Sequence, residues 1–280
     1  MKAVEKVLVS IIIPCYNDAE YIEQSVHSAL NQKYQNKEVI VVDDGSNKAT
    51  KLVLETLKPK LTKLITQENK GQSSARNLGI AHAKGEYILV LDSDDFFEPT
   101  FSEKAIQIFE NEENIKVVSC YAKLIGNNLK NRIFEPKGGE LKNFLVSNEV
   151  LGTSMFKKQD WESVNGYDES MRSGFEDWEY FIRLLKNGGE AFVIKEPLFN
   201  YRQRFGSTTS RANKNKYNLL EYIYLKHKDV YVDNYESFIT FLLSKIEREE
   251  QEKIKKENHL EYRIGAFVLK PLKFVKRLFL

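Results

Sequence analysis

Between Val7 and Cys120, short runs of Val, Ile and Leu alternate with stretches in which apolar residues recur every three or four positions. The apolar, β-branched runs predict strands over 7–13, 38–42, 63–66, 86–91 and 115–120. The longer-period stretches predict helices over 19–31, 47–57, 72–83 and 100–111. Strands that are apolar almost throughout are buried on both faces, so the alternation predicts an α/β fold with a mostly parallel sheet flanked by helices. Beyond Ser119 the rhythm loosens, and Lys137-Gly138-Gly139 marks a break. Helices are predicted over 141–146 and from Glu176 to near Gly188-Gly189, and from Asn213 onward the chain reads as helical and charged. No internal repeat or low-complexity linker interrupts this plan.

Composition narrows the class. The 280 residues are 42% hydrophobic and 29% charged, enough for one large core or a core with a smaller appendage. Lys and Arg number 42 against 40 Asp and Glu, a formal charge of +2, which gives no electrostatic case for a nucleic-acid partner. Cys15 and Cys120 stand alone near strand ends, without zinc-site or Cys-x-x-Cys spacing, and are expected to be free, buried and reduced. The run 7–13 stops at Pro14 and meets Tyr16-Asn17-Asp18, so it lacks the length and cleavage site of a signal peptide. No window reaches the roughly 18 apolar residues of a membrane span, and the expected compartment is the cytoplasm.

Ligands of parallel α/β sheets bind beyond the carboxyl ends of the strands, and polar residues collect there: Pro14-Cys15-Tyr16-Asn17, Asp43-Asp44-Gly45-Ser46 and Asp92-Ser93-Asp94-Asp95. Three carboxylates within four residues are unfavourable unless a cation or donor groups compensate them. An EF-hand loop would continue with alternating oxygen ligands and a Gly at its sixth position, where Phe96 and Phe97 stand instead. A hard divalent ion held by one or two carboxylates and completed by substrate phosphates fits better, which points to a nucleotide substrate. Asp43 and Asp44 can cap the next helix or accept hydrogen bonds from a base or a ribose. Lys70-Gly71-Gln72 opens a helix whose first amides favour anions, and Arg76 one turn in is either a phosphate clamp or a surface arginine.

Taken in order, Ser10-Ile11-Ile12-Ile13-Pro14-Cys15-Tyr16-Asn17, Val41-Val42-Asp43-Asp44-Gly45-Ser46, Ala75-Arg76-Asn77, Leu91-Asp92-Ser93-Asp94-Asp95, Gly166-Tyr167-Asp168-Glu169 and Phe175-Glu176-Asp177-Trp178 resemble the motifs of family 2 glycosyltransferases with the GT-A fold. Each is weak alone, but six in the family's order over about residues 7–205 are specific. The resemblance, closest in kind to bacterial capsule, O-antigen or exopolysaccharide enzymes, implies a GT-A domain over 1–212. Its nucleotide-binding half would cover 1–120 and its acceptor half 121–212, followed by a helical extension over 213–280. It implies an inverting, hexosyltransferase-like transfer from a nucleotide-diphosphate sugar, by family habit a UDP-sugar, to the hydroxyl of a glycan or lipid-linked acceptor in cell-surface polysaccharide assembly. Pro14, Tyr16, Asp44, Arg76, Asp92 and Ser93 would meet the nucleotide. Asp94, with Asp92, would hold Mg²⁺ or Mn²⁺, and Asp177 aligns with the general base.

Arg204 stands where many relatives carry a His that helps hold the metal or the diphosphate. An Arg cannot ligate a cation, so the expected role is neutralising the departing diphosphate, against that of a solvated loop residue. In the tail 263–280, the cations Arg263, Lys270, Lys273, Lys276 and Arg277 interleave with apolar residues and no acid occurs. This suits peripheral attachment to an anionic membrane, or packing on the chain's own core or another subunit. The charges of both signs over 245–256 predict an exposed helix laced with ion pairs. Two rivals remain: a catalytically weak sugar-nucleotide-binding protein, which would keep Asp44 and Asp94 but lose Asp177, and a metal-dependent phosphotransferase. The latter would carry its nucleophilic Asp on the first strand, with Thr or Val four residues later.

Overall fold

A computed structural model describes residues 7–126, 132–204, 208–259 and 264. The chain divides into two compact units, Met1–Lys228 and Asp229–Leu280. In the first unit the strands are β1 Val9–Cys15, β2 Lys37–Asp44, β3 Lys63–Gln67, β4 Tyr87–Val90, β5 Phe96–Phe97, β6 Ile115–Ile125, β7 Ile133–Phe134, β8 Met155–Lys157 and β9 Glu190–Arg202. They form one sheet in the order β3-β2-β1-β4-β8-β6-β9-β5, with β7 on the side of β6. The helices are α1 Ile22–Leu30, α2 Lys48–Leu57, α3 Gln72–His82, α4 Phe101–Asn111, α5 Leu141–Phe144, α6 Lys158–Ser163, α7 Glu176–Leu185, α8 Thr208–Lys214 and α9 Lys216–Lys226, with α10 Lys228–Asp233 at the division and α11 Tyr235–Asn258 beyond it.

The first half follows the hydrophobic pattern. β1, β2, β3 and β4 are parallel. Each is joined to the next by a crossover, so all four carboxyl ends share one edge. Ile11, Ile13, Val39, Val41 and Leu89 bury one face beneath α1, α2 and α4. Ile12 and Val42 face α3 on the other side, and α3 approaches so closely that a Cβ on Gly79 would stand 2.5 Å from the Ile12 Cγ2.

The second half departs from the expected parallel plan. β8 inserts antiparallel between β4 and β6, and the 13-residue β9 runs parallel to β6. Sequence reasoning missed β9 because Lys195, Glu196 and Pro197 break its apolar run. The ladder with β6 is irregular there, as a Pro without an N–H requires. Cys15 and Cys120 are free and buried, and burial, with Asp18 and Asp43 nearby, pushes the Cys15 thiol up to about 12.

In the second unit, α11 has 24 residues and none is buried. It is the exposed helix foreseen over 245–256, but among the described residues no charge there pairs across 4.0 Å or less. Exposed pairs contribute too little to hold long side chains together. No helix among the described residues is long and apolar enough to cross a membrane. The basic tail over 265–280 and its neighbour Arg263 lie outside the described residues.

Candidate active site

The carboxyl ends of β1, β2, β4 and β9 open onto a cleft of about 590 Å³. Seven of the residues singled out from sequence line it: Pro14, Tyr16, Asp44, Asp92, Ser93, Asp94 and Arg204. Arg76 is sealed below, 2% exposed. Asp177 is not among the lining residues, but its neighbour Glu176 is. The tips of β1 and β2 are tied together by Asn17, in the left-handed region at φ 60°. Its amide donates to Ser46 Oγ at 3.0 Å and its Oδ1 accepts from the Asn47 amide at 2.7 Å.

The two acids after β2 divide their work. Asp43 Oδ1 accepts the Ser46 amide at 2.8 Å, while the cap of α2 is Asn47, whose Oδ1 accepts the Thr50 amide at 3.0 Å. Asp44 holds the neighbouring loop. Its Oδ1 accepts from Gln67 Nε2 at 2.7 Å and from the Lys70 amide at 2.8 Å, and its Oδ2 accepts from the Gly71 amide at 2.9 Å. A carboxylate has about four acceptor positions, so roughly one remains for a ligand.

Beneath the cleft, Arg76 joins two sequence-distant acids. Nη2 reaches Asp92 Oδ1 and Nη1 reaches Glu176 Oε1, both at 2.9 Å, with the guanidinium 5.3 Å from the Tyr167 ring centroid. Gln72 Nε2 adds a hydrogen bond to Asp92 Oδ1 at 2.8 Å. Arg76 is thus neither on the surface nor open to a phosphate; it supplies charge to two carboxylates from below. Asn77 next to it accepts the Tyr167 amide at 2.8 Å and the Trp161 Nε1–H at 3.1 Å, fastening the Ala75-Arg76-Asn77 and Gly166-Tyr167 segments together.

At the rim, Arg204 spans Asp18 and Asp94: Nη1 lies 2.8 Å from Asp18 Oδ1 and Nη2 lies 2.6 Å from Asp94 Oδ2. It is therefore not a solvated loop residue. Burial raises the Asp94 carboxyl to about 6, with the Asp92 charge adding and Arg204 opposing. Asp95 is raised too, by burial and then by Asp94, and it accepts the Arg202 amide at 2.7 Å. Negative charge in excess of its partners is what a divalent cation would offset. Among the described residues no three Asp, Glu, His or Cys side chains gather to hold an ion unaided. The donor set therefore fits an ion bound through Asp94 and Asp92 only with phosphate oxygens completing its shell, as Mg²⁺ is commonly held.

Helix α7 supplies the other acids. Phe175 enters it in the left-handed region, φ 64°, and Trp178, Phe181, Ile182 and Leu185 bury the predicted stripe. Trp178 Nε1 donates to the Phe144 carbonyl at 2.6 Å. Burial pushes Glu176 up to about 7 against the pull of Arg76, with Asp177 adding to the rise. Asp177 is raised as well, again by burial opposed first by Arg76.

Sequence reasoning passed over Asp18, which also accepts from Ser93 Oγ at 2.5 Å, and over Gln72, Arg202 and Arg172. Arg172 reaches across the cleft to the Asn69 carbonyl at 3.1 Å. Asp18 follows the β1 motif directly and was legible; nothing in the spacing of Arg172 ties it to Asn69.

A family described as glycosyl transferase family 2 matches residues 10–164, and one described as the N-terminal domain of galactosyltransferase matches residues 143–216. A protein of Haemophilus influenzae named as an uncharacterized glycosyltransferase is 30% identical over 198 residues, covering 68% of this chain and 67% of that one. The minor teichoic acid biosynthesis protein GgaA of Bacillus subtilis is 32% identical over 233 residues, 77% of this chain, which spans about half of that protein, 51%. Among solved structures, S. aureus TarS 1-349 in complex with UDP-GlcNAc superposes with a TM-score of 0.61 at 21% identity, over 72% of this chain and 60% of that one. The mannosyltransferase PcManGT from Pyrobaculum calidifontis, in complex with GDP-Man and Mn2+, does so at 0.59 and 16% identity, over 94% and 84%. At these identities the two structures share the fold with this chain.

Proposed function

The chain belongs to glycosyl transferase family 2, and we propose that it moves a sugar from a nucleotide-diphosphate donor to an acceptor hydroxyl with inversion at the anomeric carbon. The observation that carries this reading is the convergence of Pro14, Tyr16, Asp44, Asp92, Ser93, Asp94 and Arg204 on one cleft, with Arg76 linking Asp92 to Glu176, the neighbour of Asp177 on α7. Tyr16 and the remaining acceptor position of Asp44 bind the base and ribose. Asp94 and Asp92 would hold Mg²⁺ or Mn²⁺, which would supply neutralisation of the donor's negative charge. Arg204, already paired to Asp94, lies at hand to receive negative charge on the departing phosphate.

Asp177 takes the acceptor proton as the hydroxyl oxygen bonds to the anomeric carbon, and the bond to the diphosphate breaks with its electron pair on the leaving group. The GgaA and TarS relatives support a UDP-sugar donor and a role in cell-surface polymer assembly. A lipid-linked or growing glycan is the acceptor. The basic tail over 263–280 attaches the protein peripherally to an anionic membrane face in the cytoplasm.

The test is release of nucleoside diphosphate from UDP-, GDP- and dTDP-sugars, followed by chromatography with and without Mn²⁺. Asp177→Asn and Asp94→Ala should each lower turnover by about 10²–10⁴-fold. Near-wild-type turnover in either variant refutes the role given to that residue.

A further inference from the structure

The Asp177 carboxylate, next to the cleft-lining Glu176, meets the segment between β7 and β8. Its Oδ2 accepts from Asn148 Nδ2 at 2.9 Å. Among the described residues, no other side chain hydrogen-bonds to this carboxylate. The Asn148 amide is itself oriented, because its Oδ1 accepts the Val150 amide at 3.3 Å, which turns the NH₂ group toward Asp177.

The segment carrying Asn148 is anchored to the core. The Leu151 amide donates to Ser119 Oγ on β6 at 3.1 Å, and Ser154 Oγ donates to the Leu151 carbonyl at 2.6 Å. Ser119 and Ser154 are fully buried. The same segment leaves room for the acid: a Cβ on Gly152 would stand 2.7 Å from Asp177 Oδ2, so any larger residue would push the carboxylate aside. Backbone at Gly152, amide at Asn148 and the start of α7 thus enclose Oδ2 from three sides.

We propose that Asn148 is the positioning residue of the general base, holding Asp177 by Oδ2 so that its other oxygen takes the acceptor proton. The inference rests on the reading of Asp177 as base. It makes the 148–152 segment, which borders Asp177 Oδ2, part of the acceptor side of the site. The acceptor O–H proton passes to Asp177, and the oxygen's electron pair forms the new bond to the anomeric carbon while the diphosphate leaves with its own.

A donor to the charged form of a carboxylate favours that form, so Asn148 works against the burial that raises Asp177. The charged and titratable groups facing Asp177 are Arg76 from α3, Asp92 from the tip of β4, Tyr167, and Glu176 on its own helix. None of them is altered by a substitution at Asn148, which isolates the amide's share.

The experiment is ¹³C NMR of the full chain labelled at aspartate Cγ, with the Asp177 signal assigned by its loss in Asp177→Asn. In Asn148→Ala the Asp177 midpoint should move to higher pH, and in Asn148→Asp, where a like charge faces it, further still. Asn148→Ser, which keeps a donor, should fall between Ala and wild type. In parallel, kcat for the sugar nucleotide that the wild type cleaves should fall about 10–100-fold in Asn148→Ala with its KM unchanged, and the acid limb should follow the NMR midpoint upward. An unmoved midpoint in Asn148→Ala, or a lower kcat on an unshifted pH profile, overturns the proposal and leaves a structural asparagine. Full activity in Asp177→Asn would instead overturn the parent reading, whatever Asn148 does to the titration.

Discussion

Helix α7 carries two buried carboxylate clusters less than a turn apart, and they differ in how much counter-charge each receives. Glu179, fully buried, accepts from Arg183 at 2.7 and 2.8 Å, from Lys226 at 2.8 Å and from His227 at 3.0 Å. Burial alone would raise it, yet hydrogen bonds from His227 and Arg183 hold it down to about 2. Three residues earlier, Glu176 shares a single guanidinium with Asp92, and Asp177 stands beside it. There burial prevails and the carboxyl rises to about 7. The same helix and similar burial thus yield opposite protonation behaviour, set by the ratio of cations to acids. Where cations are plentiful the acid is cement between α7 and α9; where they are scarce, protons can come and go near neutrality.

Removing Arg76 should break the contrast most severely. Arg76→Met leaves buried Glu176 and half-buried Asp92 without their partner and should cost about 3–5 kcal/mol in urea denaturation, a loss that acidification partly restores by protonating Glu176. A change under 1 kcal/mol would mean that the triad is not a buried charge network. Next in size is Glu179→Gln, which keeps the shape but not the charge and strands Arg183 and Lys226; about 1–3 kcal/mol should be lost, with turnover per folded molecule preserved. If turnover collapsed instead, the two clusters would be one functional unit.

The most gradual effect lies in the pH dependence of stability. Glu176 binds its proton more tightly folded than unfolded, so stability should decline as pH rises from about 4.5 to about 7, and Glu176→Gln should flatten that decline. Glu179 behaves oppositely: its contribution is complete above about 4.5 and is lost as pH falls toward about 2. Urea midpoints followed across both windows would separate the two clusters. A wild-type profile flat between pH 4.5 and 7 would contradict the charge-poor picture of Glu176.

How far this could be foreseen differs between the halves of the sheet. Strands β1 to β4 were legible because each is a single apolar run ending in polar residues, and parallel crossovers place such ends together. That is why the residues at the strand tips were found from spacing alone. β9 escaped because Lys195, Glu196 and Pro197 interrupt its apolar run, and with it went Arg202, whose amide meets Asp95 and whose Nε meets the Asp94 carbonyl. The partnership of Arg76 with Glu176 spans 100 positions, and no local pattern announces it. Asn148 lies in a segment without periodicity, and only the folded chain brings its amide to an acid.

Gly79 does not line the cleft, yet the arrangement of charges at the strand tips hangs on it. It is a shim of almost no thickness between α3 and the sheet, and Arg76 sits one turn before it on the same rod. A methyl group at position 79 would wedge the rod off Ile12 and Val42 and lift the guanidinium away from both acids. The reach of one arginine is gauged by the missing side chain of another residue.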